Sequence, residues 1–373
     1  MNATYIPVNE PLLTGNEEKY LTQCIRTGWI SSEGPFVSQF EAEFSARMQR
    51  QHGIAVSNGS VALDLAVVSL NIGEGDEVIM PAHTIISCAA AVVRAGAVPV
   101  LVDCDPLTFN MNVQDIEARI TPKTKAIMVV HIFGLPVDMD PLLQIAKTHG
   151  LKIIEDAAEM HGQTYKGRPC GSFGDISTFS FYSNKHVTTG EGGMILTNDP
   201  ELAQRCRSYR NLCFKPEQRF IHEELGWNYR MTNLQAALGV AQLERLDEFI
   251  SIKRSMGARY LQLLDGVPGI QLPVARNAHA ENNYWVFPLV IDDQIDLSAR
   301  DIMKRLQELG IGSRPFFWPI HEQPVLQRMG LFKQESYPVS ERIARKGFYI
   351  PSGMAITEKQ METVASAVKQ VLS

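Results

Sequence analysis

From about residue 53 to 200, short β-branched apolar runs alternate with longer amphipathic stretches. That alternation predicts β/α units around a mainly parallel sheet. The predicted strands are 53–57, 77–80, 98–102, 126–130, 152–155, 176–180 and 194–196, and helical spacing falls between them on 61–70, 87–94, 113–119 and 141–148. Turn signals sit where such units should break, at Gly73-Glu74-Gly75-Asp76, Ala95-Gly96-Ala97 and His149-Gly150. Seven such strands need helices on both faces, which gives a three-layer α/β/α domain.

Beyond Pro200 the spacing turns helical, over 201–209 and then from Asn233 to about Leu264, with breaks expected near Asp247 and Gly257. The chain from about Asn283 mixes a strand at 285–291, a helix at 298–309, an extended piece at 312–318 and a closing helix from Thr357. We therefore expect two units: residues 1–245, with the N-terminal segment, as the large domain and 246–373 as a smaller α+β domain. The cleft between them is the expected place for a substrate.

Composition narrows the function classes. The 373 residues are 45% hydrophobic and 20% charged, with a formal net charge of −6 and no Lys/Arg-rich block. That balance disfavours nucleic acid or an anionic membrane as the main partner. The N-terminal residues lack a basic segment followed by an apolar one, and no apolar run approaches the roughly 20 residues of a membrane span, so a cytoplasmic protein is expected. Six scattered cysteines fit neither zinc nor a disulfide framework, and Cys213, in a more polar stretch, is expected to be the most exposed.

Three features carry candidate chemistry. Lys185 follows the apolar run ending at Tyr182 and precedes Thr188-Thr189-Gly190-Glu191-Gly192-Gly193. A lysine acts covalently only when its amine is fixed and its pKa lowered, and these flanks favour that over a solvated surface lysine. Asp156 closes the run Ile153-Ile154-Glu155, which puts it at the carboxyl end of a buried strand where open α/β sheets bind ligands. An Asp there can equally cap the following helix, and both readings stand at this level. Ser57-Asn58-Gly59-Ser60 links a strand to a helix, so it is either an ordinary capping turn or a phosphate cradle at a helix N-terminus. Ser180 could add a hydroxyl on the same side of the sheet. Amine, acid and anion cradle are together what pyridoxal phosphate requires.

Read together, these residues resemble the DegT-type sugar-nucleotide aminotransferases, a branch of the aspartate aminotransferase-like, fold-type I pyridoxal phosphate enzymes. The resemblance runs from Ile6-Pro7-Val8 and Gly28-Trp29-Ile30-Ser31 through Ser57-Asn58-Gly59-Ser60, Ile154-Glu155-Asp156-Ala157-Ala158-Glu159 and Ser180-Phe181-Tyr182-Ser183-Asn184-Lys185 to Asn228-Tyr229-Arg230-Met231 and Ser313-Arg314-Pro315. It implies that Lys185 binds pyridoxal 5'-phosphate as a Schiff base and moves the proton between substrate and cofactor carbons. Asp156 would face the pyridine nitrogen and Glu159 the ring hydroxyl. Gly59, Ser60 and Ser180 would hold the phosphate, with Asn228 reaching it from the neighbouring subunit of a homodimer.

Within the family, Val130-His131-Ile132-Phe133-Gly134, the glycine-rich stretch after Lys185, and Ser313-Arg314-Pro315 with His321 resemble the GDP-perosamine synthases most. The implied reaction moves the amino group of L-glutamate to C4 of GDP-4-keto-6-deoxymannose, for O-antigen or a related surface polysaccharide. His83, His131, Phe133, Arg230, Arg314 and His321 are the candidate substrate residues. Two positions depart from the pattern: Ile85 stands where relatives usually stack an aromatic ring on the cofactor, leaving Ile85 or His83 to cover it, and Ser183 stands where these synthases tend to have glycine. A dTDP-linked 4-keto-6-deoxyhexose would keep the mechanism, a sugar 3-dehydratase would want histidine in place of Lys185, and a non-catalytic regulatory protein could use the same scaffold.

Overall fold

The structure is a computed structural model that describes residues 5–215 and 217–372. Seven strands form its main sheet: β1 (His52–Val56), β2 (Glu77–Pro81), β3 (Val98–Val102), β4 (Thr124–Val130), β5 (Lys152–Asp156), β6 (Ile176–Ser180) and β7 (Gly193–Thr197). Their order is β1-β7-β6-β5-β4-β2-β3, and only β7 runs against its neighbours. All seven predicted strands are present.

Alternation along each strand feeds two cores. Ile54, Val56, Val78, Met80 and Met128 enter one, while Ala55, Ile79, Ile127 and Val129 enter the other. The first face is covered by α3 (Gly59–Ser69), α4 (Ile86–Arg94) and α6 (Pro200–Arg210). The second is covered by α2 (Pro35–Arg47), α5 (Met139–His149) and α7 (Asn233–Leu243), with α1 (Glu17–Thr27) packed on α7. In an open sheet buried on both faces, ligands bind outside the carboxyl ends of the parallel strands, and Asp156, Lys185 and Gly59 lie at or just beyond such ends.

A third core belongs to the smaller unit. There α8 (Leu246–Leu264), α9 (Ala299–Glu308) and α10 (Glu358–Leu372) pack on an antiparallel sheet ordered β8-β9-β11-β10, namely Ile270–Gln271, Phe287–Ile291, Gly347–Ile350 and Arg314–Pro315. Ile6 joins this core, its backbone bonded to Gly310 and Gly312. Among the described residues, no helix is long and apolar enough to cross a membrane.

Three local expectations are corrected. Residues 113–119 form two short 3₁₀ turns, Val113–Asp115 and Glu117–Arg119, because Ile116, Arg119 and Ile120 each bond a carbonyl three residues back after the Asn112 cap. The Asn233–Leu264 stretch breaks once, at Glu244 and Arg245, close to the break expected near Asp247, and continues unbroken through 257. Gly257 lies inside α8, where a β-carbon would come within 2.3 Å of the Tyr284 ring, so it marks a close packing contact instead of a helix end. Cys213 is buried, with its sulfur beneath Gly226, although its neighbours are polar.

Candidate active site

Lys185 sits on a turn closed by its own amide and the Tyr182 carbonyl, 2.9 Å apart, directly after β6. Its amine lies 3.9 Å from Glu159 Oε1 and 3.8 Å from the centroid of the Trp285 ring, and burial pushes its pKa down. It opens into a cavity of about 270 Å³ whose floor is Asp156, Glu159, Thr178 and Ser180 and whose far wall is Trp285, Phe317 and Tyr349 from the smaller unit. The glycines after it allow this: Gly190 has a left-handed φ of 78°, and a β-carbon on Gly193 would lie 2.5 Å from the Asn58 carbonyl oxygen.

Two acids face the amine from β5 and the turn after it. Asp156 Oδ1 accepts from the Ala158 amide at 3.0 Å, while the Cys88 thiol lies 3.4 Å from Oδ2. No helix follows Asp156, so this bond closes a turn and the helix-cap reading is replaced by that of a cavity-facing acid. Glu159 Oε2 accepts from the Phe133 amide at 2.7 Å. Burial raises both carboxyls, Glu159 to about 8, and the Lys185 charge opposes the rise. Glu155, on the opposite face of β5, points away from this site: burial would raise it, but His131 and the amides of Gly171 and Gly174 hold it low.

At the other end of the cavity, Asn58 caps α3 by accepting from the Val61 amide at 3.0 Å, which leaves the amides of Gly59 and Ser60 ahead of the first helical turn. A β-carbon on Gly59 would lie 2.7 Å from that of Ser180, so only glycine lets β6 approach the helix this closely. Ser60 Oγ and Ser87 Oγ are 2.7 Å apart beside it.

Comparison with known proteins covers nearly the whole chain. The DegT/DnrJ/EryC1/StrS aminotransferase family model matches residues 11–369. The chain belongs to this family. It is 42% identical to a GDP-perosamine synthase of Caulobacter vibrioides, covering 98% of each chain, and 39% identical to one of Escherichia coli O157:H7, covering 99% of each. Among solved structures, an aminotransferase TlmJ from Streptoalloteichus hindustanus superposes with a TM-score of 0.91 at 29% identity, covering 98% of both chains. The PLP-form of a putative sugar aminotransferase, Spr1654 from Streptococcus pneumoniae, gives 0.90 at 25% identity over 99% of this chain and all (100%) of that one.

The family implies pyridoxal phosphate, and the residues present fit it: an amine, a buried carboxylate and a helix N-terminus closed to any β-carbon line one cavity. Gly59, Ser60, Ile85, His131, Asp156, Glu159, Ser180 and Lys185 all line it. Ile85 is half exposed at its edge, so the apolar side chains available to a ring include Ile85 and the aromatic wall of the smaller unit.

The other candidates from the sequence lie elsewhere, for identifiable reasons. His83 is fully buried among Phe133, Phe316 and Phe317, and so does not line the cavity or cover a ring there. Phe133 is likewise a core side chain whose backbone amide, not its ring, serves the site. His131 forms wall only: Nδ1 accepts from the Val137 amide and Nε2 bonds Glu155, so neither ring nitrogen is left for substrate. His321 bonds Glu341 at 3.0 Å, away from the cavity. Arg314 is exposed on β10, paired with Tyr349, which does line the cavity. Arg230 bonds Asn228 and Asn211, and all three lie outside the cavity of their own chain.

Trp285, Tyr349 and Phe317 were not legible as site residues. They stand in or beside strands of the smaller unit, and their local pattern is that of core aromatics. Trp285 carries one usable signal, an indole N–H that needs a partner when buried, and it donates to the Asn184 carbonyl at 3.0 Å.

Proposed function

We propose that this aminotransferase moves the amino group of L-glutamate to C4 of GDP-4-keto-6-deoxymannose, giving GDP-perosamine for a surface polysaccharide, from active sites shared across a homodimer. The observation that carries this reading is full-length similarity to GDP-perosamine synthases at 42% and 39% identity, together with a buried lysine facing two carboxyls in one cavity.

Bound pyridoxal phosphate supplies the electron sink that lets a proton leave and return at the carbon bearing nitrogen. Lys185 would hold the cofactor, and its amine would serve as the base beside that carbon. Its burial favours the neutral amine this role needs, and Glu159 is placed to take up or return charge as the amine changes state. Asp156, fixed by the Ala158 amide, would hold the cofactor's pyridine nitrogen in its protonated form. Gly59, Ser60 and Ser180 bind phosphate through amides and hydroxyls without a lysine.

The second subunit is supported by what this chain leaves uncovered. Beside the cradle is an open cleft of about 610 Å³ bordered by Arg94, Glu191 and Tyr229. The loop leading to Asn228 exposes Phe220, Ile221 and Leu225 at 80%, 61% and 89% of their surface, an apolar cluster suited to a second copy. Asn228 and Arg230 would enter the partner's cleft from there.

The direct test is optical. Holoenzyme should show the absorbance of lysine-bound cofactor, bleached by glutamate and restored by the GDP-linked keto sugar. Lys185→Ala should lose both the band and turnover, and a variant that turned over normally would remove Lys185 from the mechanism. Restoration at equal rates by dTDP-4-keto-6-deoxyglucose would overturn the nucleotide assignment.

A further inference from the structure

Behind Lys185, on the side away from the cavity, is a water-sized pocket of about 10 Å³ lined by Asn9, Asn184, Lys185, His186, Lys253 and Trp285 among others. Its polar atoms form a matched set. Lys253, on α8, is almost fully buried, and its amine donates to the carbonyls of Trp285 at 3.0 Å and Ser352; burial pushes its pKa down to about 7, and in the protonated form one N–H remains. His186 is equally buried; Nε2 lies 3.0 Å from the Asn283 carbonyl and so carries the proton, which makes Nδ1 a bare acceptor. That Nδ1 and the buried Asn184 Oδ1 have no hydrogen-bond partner among the described residues.

We propose that Lys253 is a positioning residue for Lys185, acting through Trp285 and through one buried water held between Asn184, His186 and Lys253. The water accepts from the Lys253 ammonium and donates to Asn184 Oδ1 and His186 Nδ1. Three partners are what a buried water ordinarily makes, and the pocket is at the lower bound of the volume one needs. An ammonium or metal ion is disfavoured, because a Lys253 N–H faces the same space.

The consequence for chemistry follows from how Trp285 is held. Its carbonyl is fixed by Lys253 and its indole N–H by the Asn184 carbonyl, while its ring lies 3.8 Å from the Lys185 amine. Residues 184 to 186 are therefore braced from behind by the water and from the side by the indole. Losing Lys253 removes the water's donor and the hold on the Trp285 carbonyl, and so weakens both braces at once. Displacement of a reacting group by about an ångström costs roughly tenfold to a hundredfold in rate.

This rests on Lys185 being the cofactor lysine, but the first measurement does not. A high-resolution crystal structure of the holoenzyme should show an ordered water within hydrogen-bond distance of Asn184 Oδ1, His186 Nδ1 and Lys253 Nζ. An empty pocket, or one filled by a side chain, would overturn the proposal. In Lys253→Met the water should be absent, the induced circular dichroism of bound cofactor should fall, and the rate of the glutamate half-reaction should drop about tenfold or more, with glutamate affinity within about twofold of wild type. A variant that lost only thermal stability, keeping dichroism and rate, would make Lys253 a purely structural residue. Should Lys253→Met not fold, Asn184→Leu removes one acceptor and should lower the occupancy of the water; an unchanged water would contradict the assignment. Loss of the lysine-bound absorbance band from wild type itself would count against the Lys185 reading, whatever the pocket holds.

Discussion

At the scale of single residues, the site is a set of buried charges that burial penalises and proximity partly compensates. Glu159 shows the balance: burial lifts its pKa to about 8, so the native apoprotein binds a proton that the unfolded chain releases near its ordinary value. A raised carboxyl contributes its full share of stability at low pH and loses it as pH rises toward 8. Glu159→Gln apoprotein should therefore gain thermal stability relative to wild type between pH 5 and about pH 8, by about a few degrees. Lys185 acts in the same sense, because removing the acid makes the buried ammonium more costly at low pH. Melting curves that run parallel across that range would show that Glu159 titrates normally. Asp156 could be singled out in the sequence because it ends an apolar run and Lys185 because it closely follows one, while Ser180 was picked out as a hydroxyl on the strand leading to the lysine. His83 could not be placed, since nothing local tells a cavity-facing histidine from one packed against Phe316 and Phe317, more than two hundred residues away in the chain.

At the scale of elements, the phosphate cradle depends on how closely β6 approaches α3. Gly59→Ala would place a β-carbon 2.7 Å from that of Ser180, and the strand and helix must part to admit it. Pyridoxal phosphate affinity, measured by titrating the apoprotein, should weaken by about tenfold or more, near 1.4 kcal/mol. Unchanged affinity would mean that the cradle lies elsewhere. The strands were legible because period-2 alternation and turn residues agree along 53–200. Residues 113–119 were misread because so short an amphipathic stretch does not reveal which hydrogen-bond period it adopts. Gly257 was misread because a glycine that packs and a glycine that terminates look alike in one sequence. The aromatic wall was invisible for a related reason: Trp285, Phe317 and Tyr349 reach the site only once the smaller sheet is docked.

At the scale of the whole molecule, the chain matches an aminotransferase family over residues 11–369, and the proposed function has Asn228 of a second copy enter the open cleft beside the phosphate cradle. If subunits share sites, Lys185→Ala and Asn228→Ala, each inactive or nearly so alone, should regain up to about a quarter of wild-type activity per dimer pair when unfolded and refolded together, since one site in the mixed dimer is intact. No recovery, with mixed dimers demonstrated by mass spectrometry, would place Asn228 outside the partner's site. The specificity for one sugar nucleotide is the largest claim, and product analysis tests it most directly. Purified enzyme given pyridoxal phosphate, L-glutamate and GDP-4-keto-6-deoxymannose should yield 2-oxoglutarate and a GDP-sugar whose NMR spectrum places the new amine at C4. Absence of that product, or an amine at another carbon, would contradict the account.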